Sequence, residues 1–181
     1  MNRNRSGATF ALILLLAASA PAPAGAGAQA GAAAAPKTVQ WRGWDAGLKE
    51  AAATGRPVLV DVYTDWCGWC RRMERDVYAR DDVREYLSRR YVTVKLDAES
   101  ARAANYQDRR TTEQALAARF HVSGYPTTIF LKPTGEHLVN VPGYVAADRF
   151  LSLLRYVGDG YLERGVTFDE FEKHGAEAPS H

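Results

Sequence analysis

Cysteine is nearly absent from this chain, with two residues in 181, at positions 67 and 70. That scarcity excludes a fold held by a disulfide framework, because exported domains that depend on cross-links spread them through the sequence. A bridge between residues three apart also closes too small a loop to stabilise a domain, since the gain from a cross-link grows with loop length. Reactivity is the better reason for the pair. Also missing is an apolar run approaching the roughly 20 residues a membrane-spanning helix needs. The run Ala8 to Ala18 falls well short, so a permanent anchor is the weaker reading of it. Histidine is sparse, and His121, His137, His174 and His181 stand singly. The alternative use of a Cys-x-x-Cys pair, half of a zinc site, therefore lacks two further ligands at matching spacing, and no metal is expected. Excess charge is missing as well. The formal charge of +2 falls to zero without Arg3 and Arg5, which removes any footprint for nucleic acid.

What is present is ordinary globular composition, 46% hydrophobic and 24% charged, enough for one domain with its own core. Arg3 and Arg5, the apolar run, and a tract of Ala, Pro and Gly with small-x-small sites at Ala24-Gly25-Ala26 and Ala28-Gln29-Ala30 form the pattern of a cleaved secretory signal peptide. The expected organisation is a leader over 1–30, an Ala-rich linker over 31–40, a domain over 41–160 and a C-terminal extension over 161–181. The mature protein is expected in the periplasm.

Within the domain, Asp45 to Thr54 reads as a helix stopped by Gly55 and Pro57. Val58 to Tyr63 is a near-continuous β-branched and apolar run, the pattern of a strand buried on both faces. The two cysteines follow at a strand-to-helix junction, ahead of the helix formers Arg71 to Arg75. Helix is expected again over Asp82 to Ser88, strand over Tyr91 to Leu96, helix over Glu113 to Phe120, and a hairpin of Thr127 to Leu131 with His137 to Val141 around Pro133-Thr134-Gly135. Ala146 to Val157 is an amphipathic helix, and Phe168 and Phe171 suggest one more short helix. Between Asp97 and Thr111 the Arg-rich sequence has no clear period and reads as a surface loop or irregular insertion.

Cys67, in the first turn of its helix, meets unpaired backbone N–H groups and the positive end of the macrodipole, both favouring thiolate. Cys70, one turn on, is placed to attack a mixed disulfide and release product. Asp61 is anomalous, since a carboxylate within a buried apolar strand costs several kcal/mol, on the order of the ionic desolvation penalty, unless it is paired or protonated. Lying six residues before Cys67, it is a candidate general base for Cys70 through water, with Lys95 as its partner. The alternative is that both sit at strand ends facing water. Arg71 and Arg72 read as solvated helix residues, with the alternative that Arg71, directly after Cys70, adds to thiolate stabilisation. Tyr125-Pro126-Thr127 places a proline at a strand entry, either an edge feature or a cis bond.

These parts resemble the thioredoxin superfamily over roughly Trp41 to Val157, through Val60-Asp61, Trp66-Cys67-Gly68-Trp69-Cys70, Lys95, Tyr125-Pro126-Thr127 and Gly143. The resemblance implies an α/β, three-layer fold with a central mixed β-sheet flanked by helices. It also implies a cis Pro126 beside the sulfurs, a Tyr125 backbone that pairs with an extended substrate, and Trp66 covering one side. Trp69 stands where proline is usual and Tyr125 precedes Pro126, and both positions touch the site, so both count as substrate-binding candidates. Within the superfamily the leader, the longer segment before Glu113, and the run Val141-Pro142-Gly143-Tyr144 leading to Phe150-Leu151 and Arg155-Tyr156-Val157 make the chain most similar to exported SoxW-type thioredoxins.

The implied activity is thiol-disulfide exchange with no cofactor beyond the redox-active Cys67-Cys70 disulfide, in the direction of a reductase. Its substrates would be disulfide-containing proteins or carriers, its electron source a membrane donor, and its state monomeric. A dithiol oxidase inserting disulfides into exported proteins, and a binding module that holds a partner or copper without turnover, are the alternatives.

Overall fold

The computed structural model describes residues 36–174. The expected leader, the first half of the linker (31–35) and the last seven residues lie outside them. The described elements are α1 (Trp44–Thr54), β1 (Val58–Tyr63), α2 (Gly68–Met73) continued by a π-helical turn (Glu74–Tyr78), α3 (Asp81–Arg90), β2 (Val92–Asp97), β3 (Ala103–Tyr106), β4 (Arg109–Thr112), α4 (Glu113–Arg119), β5 (Thr127–Leu131), β6 (His137–Pro142), α5 (Ala147–Gly158) and α6 (Phe168–His174).

Four strands form a mixed sheet in the order β2-β1-β5-β6, with β1 parallel to β2 and antiparallel to β5, and β5 antiparallel to β6. The unbroken apolar run of β1 follows from this position, with neighbours on both edges and helices over both faces. Side chains of a strand alternate between faces. Val58, Val60 and Val62 join the core under Trp44 and Ala51 of α1 and Leu116 and Ala117 of α4. Leu59 joins the opposite core, with Met73, Tyr78, Leu87, Phe150 and Leu154. Helices, sheet and helices make the three layers expected from the resemblance, and each fully buried Leu, Ile or Phe contributes about 1.5–3 kcal/mol. Asp61 keeps the phase of Leu59 and so faces the second core.

Local signals end the elements where their chemistry requires. Gly55 adopts φ 68° and its N–H reaches Ala51 O, closing α1. Gly47 permits α1 to lie against β2, since a Cβ there would stand 2.2 Å from Val94 Cγ2.

The expectation of an irregular loop over Asp97 to Thr111 is corrected in its second half. Ala103 to Thr112 form a separate two-stranded hairpin, β3 with β4. Gln107 and Asp108 both have positive φ, 50° and 60°, which is the two-residue turn that matches strand twist. Ala104 and Tyr106 are buried against α1 and α4. Asp45 accepts the Asn105 backbone N–H and side-chain amide, each at 2.8 Å.

Candidate functional site

Where β1 ends, Thr64, Asp65 and Trp66 turn the chain toward α2, with Cys67 N donating to Thr64 O at 3.1 Å. Cys67 caps α2 in an extended conformation, and its sulfur accepts the Cys70 N–H at 3.0 Å. The two cysteines are joined as a disulfide and both are buried. A backbone donor aimed at Sγ, at a helix start, is the local field that favours thiolate once the bond is reduced. Arg71 is not simply solvated. Its guanidinium donates to Asp65 O at 2.8 Å and Trp66 O at 3.5 Å, bracing the loop that carries Cys67.

Behind the disulfide, Asp61 and Lys95 stand opposite each other across the β1–β2 register. Lys95 Nζ is 2.6 Å from Asp61 Oδ2, and Asp61 is only 2% exposed. Asp61 is therefore interior and paired, and the alternative of strand ends facing water is set aside for it; Lys95 keeps partial contact with solvent. Burial raises the Asp61 carboxyl above the usual carboxylate range, and the Lys95 ammonium offsets only part of that. Burial alone would lower the Lys95 ammonium, yet Asp61 and Glu74 outweigh it and hold the pKa above the ordinary lysine value.

Three neighbours of this pair escaped the sequence reading. Glu74 Oε2 binds Lys95 Nζ at 3.0 Å, Tyr78 O–H donates to Asp61 at 3.2 Å, and the Trp41 ring lies 4.8 Å from the Lys95 ammonium. Glu74 follows Cys70 by four residues, which on a helix sets both on one side. Spacing was thus the available signal. Cys70, Glu74, Lys95 and Thr64 line one cleft of about 250 Å³. Thr64 Oγ1 is buried there without a hydrogen-bond partner among the described residues, the kind of group that ordered water satisfies. Asp61 does not itself line the cleft, so a proton leaving Cys70 would meet Glu74 and Lys95 before Asp61.

In front of the disulfide lies an aromatic rim. Trp66 and Trp69 are 63% and 54% exposed, and among the described residues they are the large hydrophobics most open to solvent. The Trp66 indole N–H donates to Glu99 at 3.0 Å, and its ring meets Tyr125 edge-on at 5.8 Å. The Tyr125–Pro126 peptide bond is cis, and Pro126 O accepts the Gly143 N–H at 2.8 Å, tying this loop to the end of β6. Trp69 contacts Tyr144 at 5.6 Å. Neither Tyr144 nor Glu99 was placed at the site by sequence, because they reach the rim only through tertiary packing.

The comparisons with known proteins agree with this geometry. A family model described as a thioredoxin-like domain matches residues 44–158. The chain is 38% identical over 112 residues to thiol:disulfide interchange protein DsbD of Ralstonia nicotianae, covering 61% of this chain and 17% of that protein. It is 36% identical over 110 residues to DsbD 2 of Pseudomonas aeruginosa, covering 60% and 17%. The chain thus spans less than a fifth of the length of these relatives. Among solved structures, it is similar to a Thermus thermophilus thioredoxin, with TM-score 0.58, 24% identity and coverage of 80% of this chain and 99% of the other. It is also similar to a putative disulphide-isomerase from Bacteroides thetaiotaomicron, with TM-score 0.55, 26% identity and coverage of 68% and 94%. Fold, family match and a Cys-x-x-Cys disulfide at the strand-to-helix junction converge: the chain belongs to the thioredoxin-like domain family.

Proposed function

We propose that this protein is an exported reductase of protein or carrier disulfides, of the SoxW type, working in the periplasm as a monomer. The observation that carries the reading is the Cys67–Cys70 disulfide at the start of α2 with a cleft behind Cys70 that leads to Glu74, Lys95 and Asp61. The relatives named thiol:disulfide interchange proteins support exchange chemistry, and the pattern of Arg3, Arg5 and the apolar run supports export.

In the reduced protein the Cys67 thiolate attacks one sulfur of a substrate disulfide. A Cys67–substrate bond forms, the substrate disulfide breaks, and one substrate thiolate leaves and takes a proton. The Cys70 thiol then gives its proton to the cleft, where Glu74 and, behind Lys95, Asp61 are the acceptors. The Cys70 sulfur attacks Cys67 Sγ, the Cys67–Cys70 bond forms, and the second substrate thiol departs. Two electrons have moved to the substrate. A membrane dithiol donor would restore the reduced pair by the reverse exchange. Trp66, Trp69, Tyr125 and Pro126 form the surface against which the substrate segment lies.

Equilibration of the pair with glutathione tests the direction. A potential near the thioredoxin value of about −270 mV supports the reductase, whereas one near the about −120 mV of a strong oxidant replaces it with the dithiol oxidase. Insulin reduction tests turnover, and its absence together with the absence of covalent adducts leaves only a binding module.

A further inference from the structure

The two tryptophans beside the disulfide differ in their charged neighbours. Trp66 is held by the Glu99 carboxylate. Trp69 instead lines a shallow cleft of about 270 Å³ with Gly68, Arg72 and Arg75. Residues 69, 72 and 75 recur every three positions along α2 and the turn that continues it, which places them on one side. The Arg72 guanidinium lies 5.1 Å from the Trp69 ring and 5.3 Å from Tyr144, so two aromatic faces fix its position. One carboxylate serves both arginines. Asp76 binds Arg72 Nε at 3.1 Å and Arg75 Nε at 3.3 Å. The Nη groups of both make no hydrogen bond among the described residues, and both side chains are at least half exposed. The cleft therefore carries surplus positive charge and Nη donors free of hydrogen bonds, along the helix that starts directly after Cys67.

We infer that this cleft is a substrate subsite that takes the carboxylate of an Asp or Glu close in sequence to the reacting cysteine of a polypeptide substrate. The inference rests on the exchange reading above. An arginine fork with free Nη donors suits a carboxylate better than a neutral amide. The indole face beside it excludes water on one side, which strengthens the pairing. Asp76 keeps a single cation's worth of charge in excess, so the subsite discriminates by sign without immobilising the substrate.

The test uses the full chain, reduced with dithiothreitol and desalted, and three matched peptides carrying Glu, Gln or Lys two residues from a cysteine capped as a neutral thiopyridyl disulfide. Released thiopyridone reports attack by Cys67. Each rate is normalised to that with mercaptoethanol, which removes the peptide's own electrostatics. At low salt the Glu peptide is expected to react about five-fold faster than the Lys peptide, with Gln between them, and the preference is expected to fade at high salt. In the Arg72→Gln, Arg75→Gln double variant the Glu-to-Lys ratio should fall to near one. The ratio is taken within each protein, so a change in overall rate cancels. Equal Glu and Lys rates in the unaltered protein, or a preference that survives in the variant, overturns the subsite alone. No reaction with any peptide overturns the exchange reading, and the subsite with it.

Discussion

The two sides of the disulfide are built from opposite materials. Behind Cys70, ionisable groups are matched one to another, with buried Asp61 on Lys95, Lys95 on half-exposed Glu74 and buried Tyr78 on Asp61. In front, large aromatic surface is left in contact with water, at Trp66 and Trp69. Each arrangement is unfavourable for folding by itself. A buried carboxylate loses hydration, and an exposed indole forgoes burial. Both are accounted for if the rear sets proton transfer and the front sets recognition, and substitutions can separate these roles.

The largest effect is expected at the disulfide that the two sides share. Cys67→Ser should abolish insulin reduction, whereas Cys70→Ser should retain the first attack and accumulate mixed disulfides visible on a non-reducing gel. Accumulation in the Cys67 variant instead would reverse the assigned order of attack. Next comes the rear. Asp61→Asn should slow release from a preformed mixed disulfide by about 100-fold at neutral pH, with formation little changed, and higher pH should restore much of the loss. Stopped-flow rates unchanged for both steps would strip the rear of its role in proton transfer. The front follows, since Trp66→Ala or Tyr125→Ala should raise KM for a protein substrate by roughly the 1–2 kcal/mol typical of an aromatic anchor while leaving kcat near its original value. A fall in kcat alone would merge the two sides into one machine.

The smallest effect is on stability. Burial raises the folded-state pKa of Asp61 above its unfolded value of 3.8, so its favourable contribution is complete below that value and is lost as pH rises through the folded pKa. Denaturant titrations should find Asp61→Asn gaining on the original protein as pH rises above the unfolded value of 3.8. The Lys95 pKa is raised above 10.5, so its own contribution persists across this window and fades only in more alkaline solution.

The legible parts of the molecule were those whose cause is local. Val58 to Tyr63 reads as a central strand because burial on both faces demands apolar residues in succession, and Gly55 reads as a cap because its conformation suits glycine. Asp61 was conspicuous because it breaks that succession. Glu74 was hidden among helix formers, where a charged residue is unremarkable, and only the π-helical turn and the sheet behind it bring the carboxylate to Lys95. Tyr144 is likewise an ordinary loop residue until β6 returns it to Trp69. The hairpin was missed because its strands are four residues each, too short for alternation to stand out, and its turn uses Gln107 where Asn or Gly would have announced it.

That hairpin has a practical consequence. Its ladder bonds join β3 only to β4, and neither strand extends the four-stranded sheet. Lengthening the turn at Gln107-Asp108 therefore shifts no register in the sheet that carries Asp61 and Lys95. It is a natural place to splice in an epitope or a fluorophore, on a segment that lends no side chain to the sulfur chemistry, for following the protein and its covalent intermediates without handling either terminus.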